Sequence, residues 1–80
     1  MEQNIMPLNH IPLGSFARVK DLTSEGNAKR RMLDLGLIVG TKVESLRQSP
    51  SGDPIAYEIR GAVIALRSEE ASKILVEVIH

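Results

Sequence analysis

Four groups of residues in this chain have types that could do chemistry. They are the imidazoles of His10 and His80, the adjacent carboxylates Glu69 and Glu70, the triplet Ser51-Gly52-Asp53, and the basic run Lys29-Arg30-Arg31. None reads as a catalytic centre. His10 lies in an N-terminal stretch and His80 is the last residue, places where a general base would be poorly held, so solvated end-group histidines are the simpler reading. A ferrous or zinc site joining them to a carboxylate such as Glu77 would follow no recognised ligand spacing. Adjacent helix residues do not face one another, and the dipole at the start of a short helix already explains both Glu69 and Glu70. Ser51 and Asp53 have no histidine near them, so a triad lacks its third member. The expectation is a protein that is not an enzyme, with no catalytic residue, no metal ligand and no cofactor.

Phosphate chemistry fares little better. Gly36 and Gly40 are separated by an apolar linker and lack the Lys-Ser/Thr that completes a P-loop. Lys29-Arg30-Arg31 is a solvated helix face unless Arg18 and Lys20, on a neighbouring strand, extend it into a phosphate-facing patch. Ten Lys and Arg balance ten Asp and Glu, and with one Phe, one Tyr and no Trp there is almost nothing for a base to stack on. Direct nucleic-acid binding is not expected. The chain has no cysteine, which removes disulfides, thiolate metal sites and Cys nucleophiles together. No window approaches the ~20 apolar residues of a membrane span and the start lacks a leader pattern, so membrane insertion is not expected either. What remains is surface. Leu33, Leu37, Ile38 and Val39 beside Lys29, Arg30 and Arg31 form the candidate partner-binding group.

The elements that must position this group are short. Eighty residues make one domain burying roughly 60% of its unfolded surface, with an aliphatic core. Residues 1–9 read as a flexible N-terminal arm, with Leu8 and Ile11 available to pin it, and 10–80 as the domain. Phe16, Ala17, Val19 and Leu22 read as a first strand. Asn27 is placed to cap a helix whose apolar stripe is Ala28, Met32, Leu33 and Leu35, and Gly36 stops it at a left-handed position with Leu37 packing back. Gly40 then launches a strand at Thr41. In that strand Val43 and Leu46 break alternation, which predicts a bend, a bulge or burial on both faces. Residues 49–54, with Pro50, Gly52 and Pro54, must be loop. Ile55, Tyr57 and Ile59 give the clearest half-buried strand, Gly61 reverses the chain, and Ala62–Leu66 returns. Ser68 to Lys73 reads as one or two helical turns capped by Ser68, and Leu75–Ile79 as a last strand. About five short strands and two helices in so small a chain call for a curled sheet, a small antiparallel β-barrel of the SH3-like type.

The order of these landmarks resembles the FeoA family of ferrous iron transport accessory proteins. The likeness runs from about Leu8 to Val78. It rests on Gly14 with Val19, on Arg30-Arg31-Met32-Leu33-Asp34-Leu35-Gly36-Leu37 with Gly40-Thr41, on Pro50-Ser51-Gly52-Asp53-Pro54-Ile55, and on Ala65-Leu66-Arg67 with Glu70-Ala71 and Val76. The resemblance implies a mainly β, SH3-like barrel, also found as a C-terminal domain in metal-dependent repressors. It also implies a non-enzymatic cytoplasmic adaptor that binds and modulates the FeoB-type membrane iron transporter through its GTP-binding cytosolic region, and so a membrane association only through that partner. The carried-over positions are Arg31, Leu35, Gly36, Gly40, Gly52, Asp53, Pro54 and Arg67, which serve as cap, turn or ion-pair residues. Val39 stands where a proline is common, and Ser51 where an apolar residue is common. If the family's loop touches its partner through that apolar residue, this protein does so differently or not at all. A regulatory barrel contacting a repressor or nucleic acid is the alternative, and homo-oligomerisation stays open.

Overall fold

The structure is a computed structural model of the chain and describes residues 4–79. β4 (Ile55–Ile59) lies inside the sheet because Ile55, Tyr57 and Ile59 recur every second residue and all point into the core. The next two residues, Arg60 and Gly61, both take positive φ (52° and 86°). That pair makes the tight primed turn that suits the twist of a hairpin, and β5 (Ala62–Leu66) returns with Ala62 opposite Ile59. On the other side β4 pairs with β3 (Lys42–Gln48), whose register jumps between Ser45 and Arg47 and leaves Leu46 as the extra residue of a bulge. The broken alternation of Val43 and Leu46 is that bulge. A second register jump, between Val19 and Asp21, bends β2 (Phe16–Leu22) where it pairs with β6 (Ile74–Ile79). Bulges raise local twist, and two of them curl the sheet around its aliphatic filling.

All pairings are antiparallel, in the order β1-β6-β2-β3-β4-β5. The sheet therefore has six strands where the sequence predicts about five. The extra one is β1 (Ile5–Pro7), paired with β6 through Ile5 opposite Glu77. From Ile5 onward the segment read as a loose arm is thus an edge strand, while residues 1–3 lie outside the described part. Three residues carry too few ladder bonds to hold by themselves. The anchor is Leu8, fully buried in a single 3-10 turn (Leu8–His10) just after the strand, and burying such a side chain is worth about 1.5–3 kcal/mol. β1 and β5, the ends of the order, do not bond each other, so the barrel curls without closing its hydrogen-bond ladder.

Two helices occupy connections. α1 (Gly26–Asp34) fills the passage from β2 to β3, and its N-cap is Glu25 in extended conformation rather than Asn27. α2 (Ser68–Ala71) follows β5. Ser68 is its first helical residue, not its cap. The orphan N–H of Ser68 is satisfied from elsewhere: the carboxylate of Asp53 reaches across from the 49–54 loop and accepts it at 2.8 Å, and the Ser68 hydroxyl at 3.3 Å. Glu70 accepts the N–H of the cap residue Arg67 at 3.2 Å. The loop that carries Asp53 is itself tied down, Ser49 N–H to the Pro54 carbonyl at 3.1 Å and Gly52 N–H, at a φ of 92°, to the Ser49 carbonyl at 2.8 Å.

Candidate partner-binding surface

Leu35 ends α1 as its C-cap, and Gly36 follows with φ at 95°. Gly36 N–H then donates to the Leu33 carbonyl at 2.9 Å and Leu37 N–H to the Met32 carbonyl at 3.0 Å. This is the Schellman arrangement, and it normally brings the residue after the glycine back against the helix. It does so here: Leu37 is fully buried in the same core as Met32. Leu37, read from the sequence as part of the partner surface, is therefore withdrawn from it. Its apolar neighbours are not. Leu33 is 42%, Ile38 44% and Val39 67% exposed, large values for aliphatic side chains.

Val39 is held out by a second turn. Thr41 N–H donates to the Ile38 carbonyl at 3.0 Å with Gly40 at φ 95°, the geometry of a type II turn with Val39 at its first central position. The Thr41 hydroxyl bonds the Gly36 carbonyl at 3.0 Å, and Gly40 N–H donates to the Val19 carbonyl at 2.8 Å, fixing the turn to helix end and sheet.

The charges around it are only partly those the sequence singled out. Lys29 and Arg30 are exposed on α1. Arg31 is not free, because its guanidinium is paired with Glu70 and joins α1 to α2. Lys20, expected near the basic run, instead pairs with Glu77 at 3.2 Å. Arg18 does approach the site: it donates to the Gly40 carbonyl at 3.1 Å and lies opposite Lys42 in the β2–β3 register. The methylenes of Arg60 lie beside Gly36, close enough that an added Cβ would sit 2.8 Å from Arg60 Cδ. Lys42 and Arg60 were missed from the sequence because only strand register and the primed turn bring them to this place. Lys42 also stacks over the Phe16 ring at 4.5 Å. Among the described residues neither Arg18, Lys42 nor Arg60 has an ion-pair partner. Arg18 and Arg60 reach the turn and helix end that carry the exposed aliphatics, while the Lys42 ammonium leans over Phe16. Farther out on the same sheet face Glu44 lies directly opposite Glu58, which makes that face mixed in sign.

The other groups singled out from the sequence do not converge. His10 is exposed in the 3-10 turn, and His80 lies outside the described residues. Glu77 is engaged by Lys20, and among the described residues no three ligating side chains come together. Ser51 donates to the backbone carbonyl of Asp53 at 3.0 Å, while the Asp53 carboxylate is spent on Ser68. The cleft between the helices, lined by Ala28, Met32, Glu69 and Lys73, holds the Arg31–Glu70 pair already described. The Tyr57 phenol has its pKa pushed up to about 12, caused first by loss of solvent around the buried ring and then by the nearby Asp53 charge. A phenol held neutral this firmly is a core group, not a proton carrier at neutral pH.

Six antiparallel strands curled on an aliphatic core, with a helix end and turn presented at one corner, define a small SH3-like domain. Residues 6–78 match the FeoA domain, and the chain belongs to the FeoA family of ferrous iron transport accessory proteins. It is 31% identical over 74 residues to the Fe(2+) transport protein A/Fe(2+) transporter FeoB fusion protein of Porphyromonas gingivalis, covering 92% of this chain but only 9% of that protein's length. The solution structure of a FeoA-like protein from Clostridium acetobutylicum superposes with a TM-score of 0.89 at 35% identity, covering all of this chain and 92% of that one. The zinc complex of FeoA from Stenotrophomonas maltophilia, described as a prokaryotic SH3 domain protein, gives a TM-score of 0.80 at 28% identity over 89% of this chain and 88% of that one. Among the described residues no helix is long and apolar enough to cross a membrane.

Proposed function

We propose that this protein is an adaptor that docks on a FeoB-type ferrous iron transporter and modulates its activity through the transporter's GTP-binding cytosolic region. The observation that carries the reading is the fused relative, in which a segment similar to nearly all of this chain is joined to FeoB in one polypeptide. A covalent joint raises the effective concentration of two modules toward the millimolar range. Such a joint suits a contact too small to hold tightly by itself. The surface described above has that character: Leu33, Ile38 and Val39 for apolar contact, with Lys29, Arg30, Arg18 and Arg60 as a cationic border. Arg31 acts behind it, fixing α1 on α2. Its partner face is accordingly apolar at the centre and acidic at the edge. The protein works at the cytoplasmic side of the membrane, held there by the transporter.

The test is a titration of the soluble GTP-binding region, and of the whole transporter in detergent, into isotope-labelled protein. The expected result is movement of the Leu33, Ile38 and Val39 amide signals, lost with Val39→Asp. Unmoved spectra with both probes would remove the proposal.

A further inference from the structure

The two edges of the sheet are guarded very differently. β1 is three residues long and ends at Pro7, which has no N–H to offer a further strand. β5, Ala62-Val63-Ile64-Ala65-Leu66, is five residues without a charge or a proline. Its inner side is occupied by β4, starting with Ile59 opposite Ala62 at the closing position of the two-residue turn. In such a hairpin the closing pair exchanges both backbone bonds, and bonded and non-bonded residues then alternate. Ala62, Ile64 and Leu66 therefore spend their N–H and C=O groups on β4. Val63 and Ala65 direct theirs away from the sheet, and no other backbone bond among the described residues reaches them. Val63 is 58% exposed, and Ala65 is exposed too.

We infer that the β5 edge is a self-association site, occupied by β5 of a second copy of this chain running antiparallel about a twofold axis through Ile64. The strand is its own complement. Its two residues with outward backbone groups sit symmetrically about Ile64, so the twofold sets Val63 against the partner's Ala65 and Ala65 against the partner's Val63. Both become bonded pairs, giving four new N–H···O=C bonds in one register. No residue of β5 carries a charge to meet its own image, so the like-charge penalty of a cross-strand pair does not arise there. The same twofold places the small side chain of Ala65 across from Val63 on the outer face, where there is room for both. A contact limited to two five-residue strands falls well below the ~1,600 Å² of a standard stable interface, so the dimer is a weak one, populated at high local concentration. The edge lies on a strand separate from α1 and the Ile38–Thr41 turn, and the inference does not depend on docking to the transporter.

Sedimentation and amide spectra of the full chain from about 10 µM to about 1 mM test this, a span chosen to bracket a small interface. Expected are a weight-average mass rising toward twice that of the monomer and concentration-dependent shifts centred on Val63 and Ala65. Val63→Pro removes an N–H that β4 does not use and should abolish the rise. Val63→Lys, which sets cations on both sides of the twofold pairing, should do the same should the proline variant fail to fold. Ile5→Lys on the opposite edge should leave the rise intact. A monomer throughout the range, a dimer that survives both Val63 variants, or shifts centred on Ile38 and Val39 instead would each overturn the inference.

Discussion

Replacing Gly36 by alanine isolates the feature that shapes the corner proposed for docking. At a φ of 95° the residue lies in left-handed territory where an L side chain is strained, and such strain costs about 1–2 kcal/mol. The new Cβ would also stand 2.8 Å from Arg60 Cδ. That contact adds little, because Arg60 is exposed and its chain can swing away. Gly40 supplies the control: its φ is also 95°, and a Cβ there meets nothing within 4 Å. Gly36→Ala and Gly40→Ala should therefore each lower stability by about 1–2 kcal/mol, which in a domain of this size moves Tm down by roughly 5–15 °C. Gly36→Val should cost more, since a β-branched side chain fits that backbone worse. The assay is thermal and urea unfolding of the three variants, with Arg60→Ala combined with Gly36→Ala to measure the contact alone. A Gly36→Ala protein that melts like the parent would refute the Schellman placement. A loss that vanishes in the Arg60→Ala background would show that the steric contact, not the backbone, sets the cost.

Val39→Pro should stabilise by about 0.4–1 kcal/mol in urea unfolding, because the exposed Val39 holds the turn position whose φ proline pre-sets; a loss of stability would contradict the type II geometry. Tyr57 is fully buried and its hydroxyl has no hydrogen-bond partner among the described residues, so Tyr57→Phe should leave stability equal or higher by melting temperature. The same phenol sets an alkaline limit. Its pKa is raised to about 12 in the fold from an ordinary 10, so its contribution is whole below pH 10 and is lost as pH climbs to 12. That amounts to about 2–3 kcal/mol in urea midpoints measured across that window, and Tyr57→Phe should abolish this part of the decline. Glu70→Ala should cost more than Arg31→Ala, because Glu70 both pairs with Arg31 and accepts the Arg67 N–H; a double-mutant cycle should give a coupling of about 0.2–1 kcal/mol. Asp53→Ala should remove about 1 kcal/mol in unfolding experiments by uncapping α2.

The parts of this fold that are legible in the sequence are those decided within a few residues. Gly36 after Leu35 marks a helix stop whatever surrounds it, the prolines of the 49–54 loop forbid a ladder, and the alternation of Ile55, Tyr57 and Ile59 specifies a sealed face. The misplaced features are decided at a distance. β1 exists because β6 offers an edge and Leu8 finds a hole, neither visible in Ile5-Met6-Pro7. The cap of α2 comes from Asp53, fifteen residues earlier, so a local rule nominates Ser68. Leu37 is the exception: its burial follows from the local Gly36 cap, which the sequence displays, and grouping it with Ile38 and Val39 as surface sets aside the packing that the cap itself predicts. Arg18, Lys42 and Arg60 meet through register, which a string of letters does not display.

The pairing of β1 with β6 also bears on how such a domain is carried. Because the first and last strands run antiparallel side by side, with Ile5 across from Glu77, the chain enters and leaves from the same rim of the sheet. A tether attached at either end would pull on that one rim, and the corner at Leu33, Ile38 and Val39 would keep its shape. The two ends are held unequally. A pull on the N-terminal side loads only the edge strand β1, whereas a pull on the C-terminal side loads β6, which is flanked by β1 and β2 and carries the buried Ile74 and Val76. In a fused arrangement the exit strand is therefore the one braced by the core.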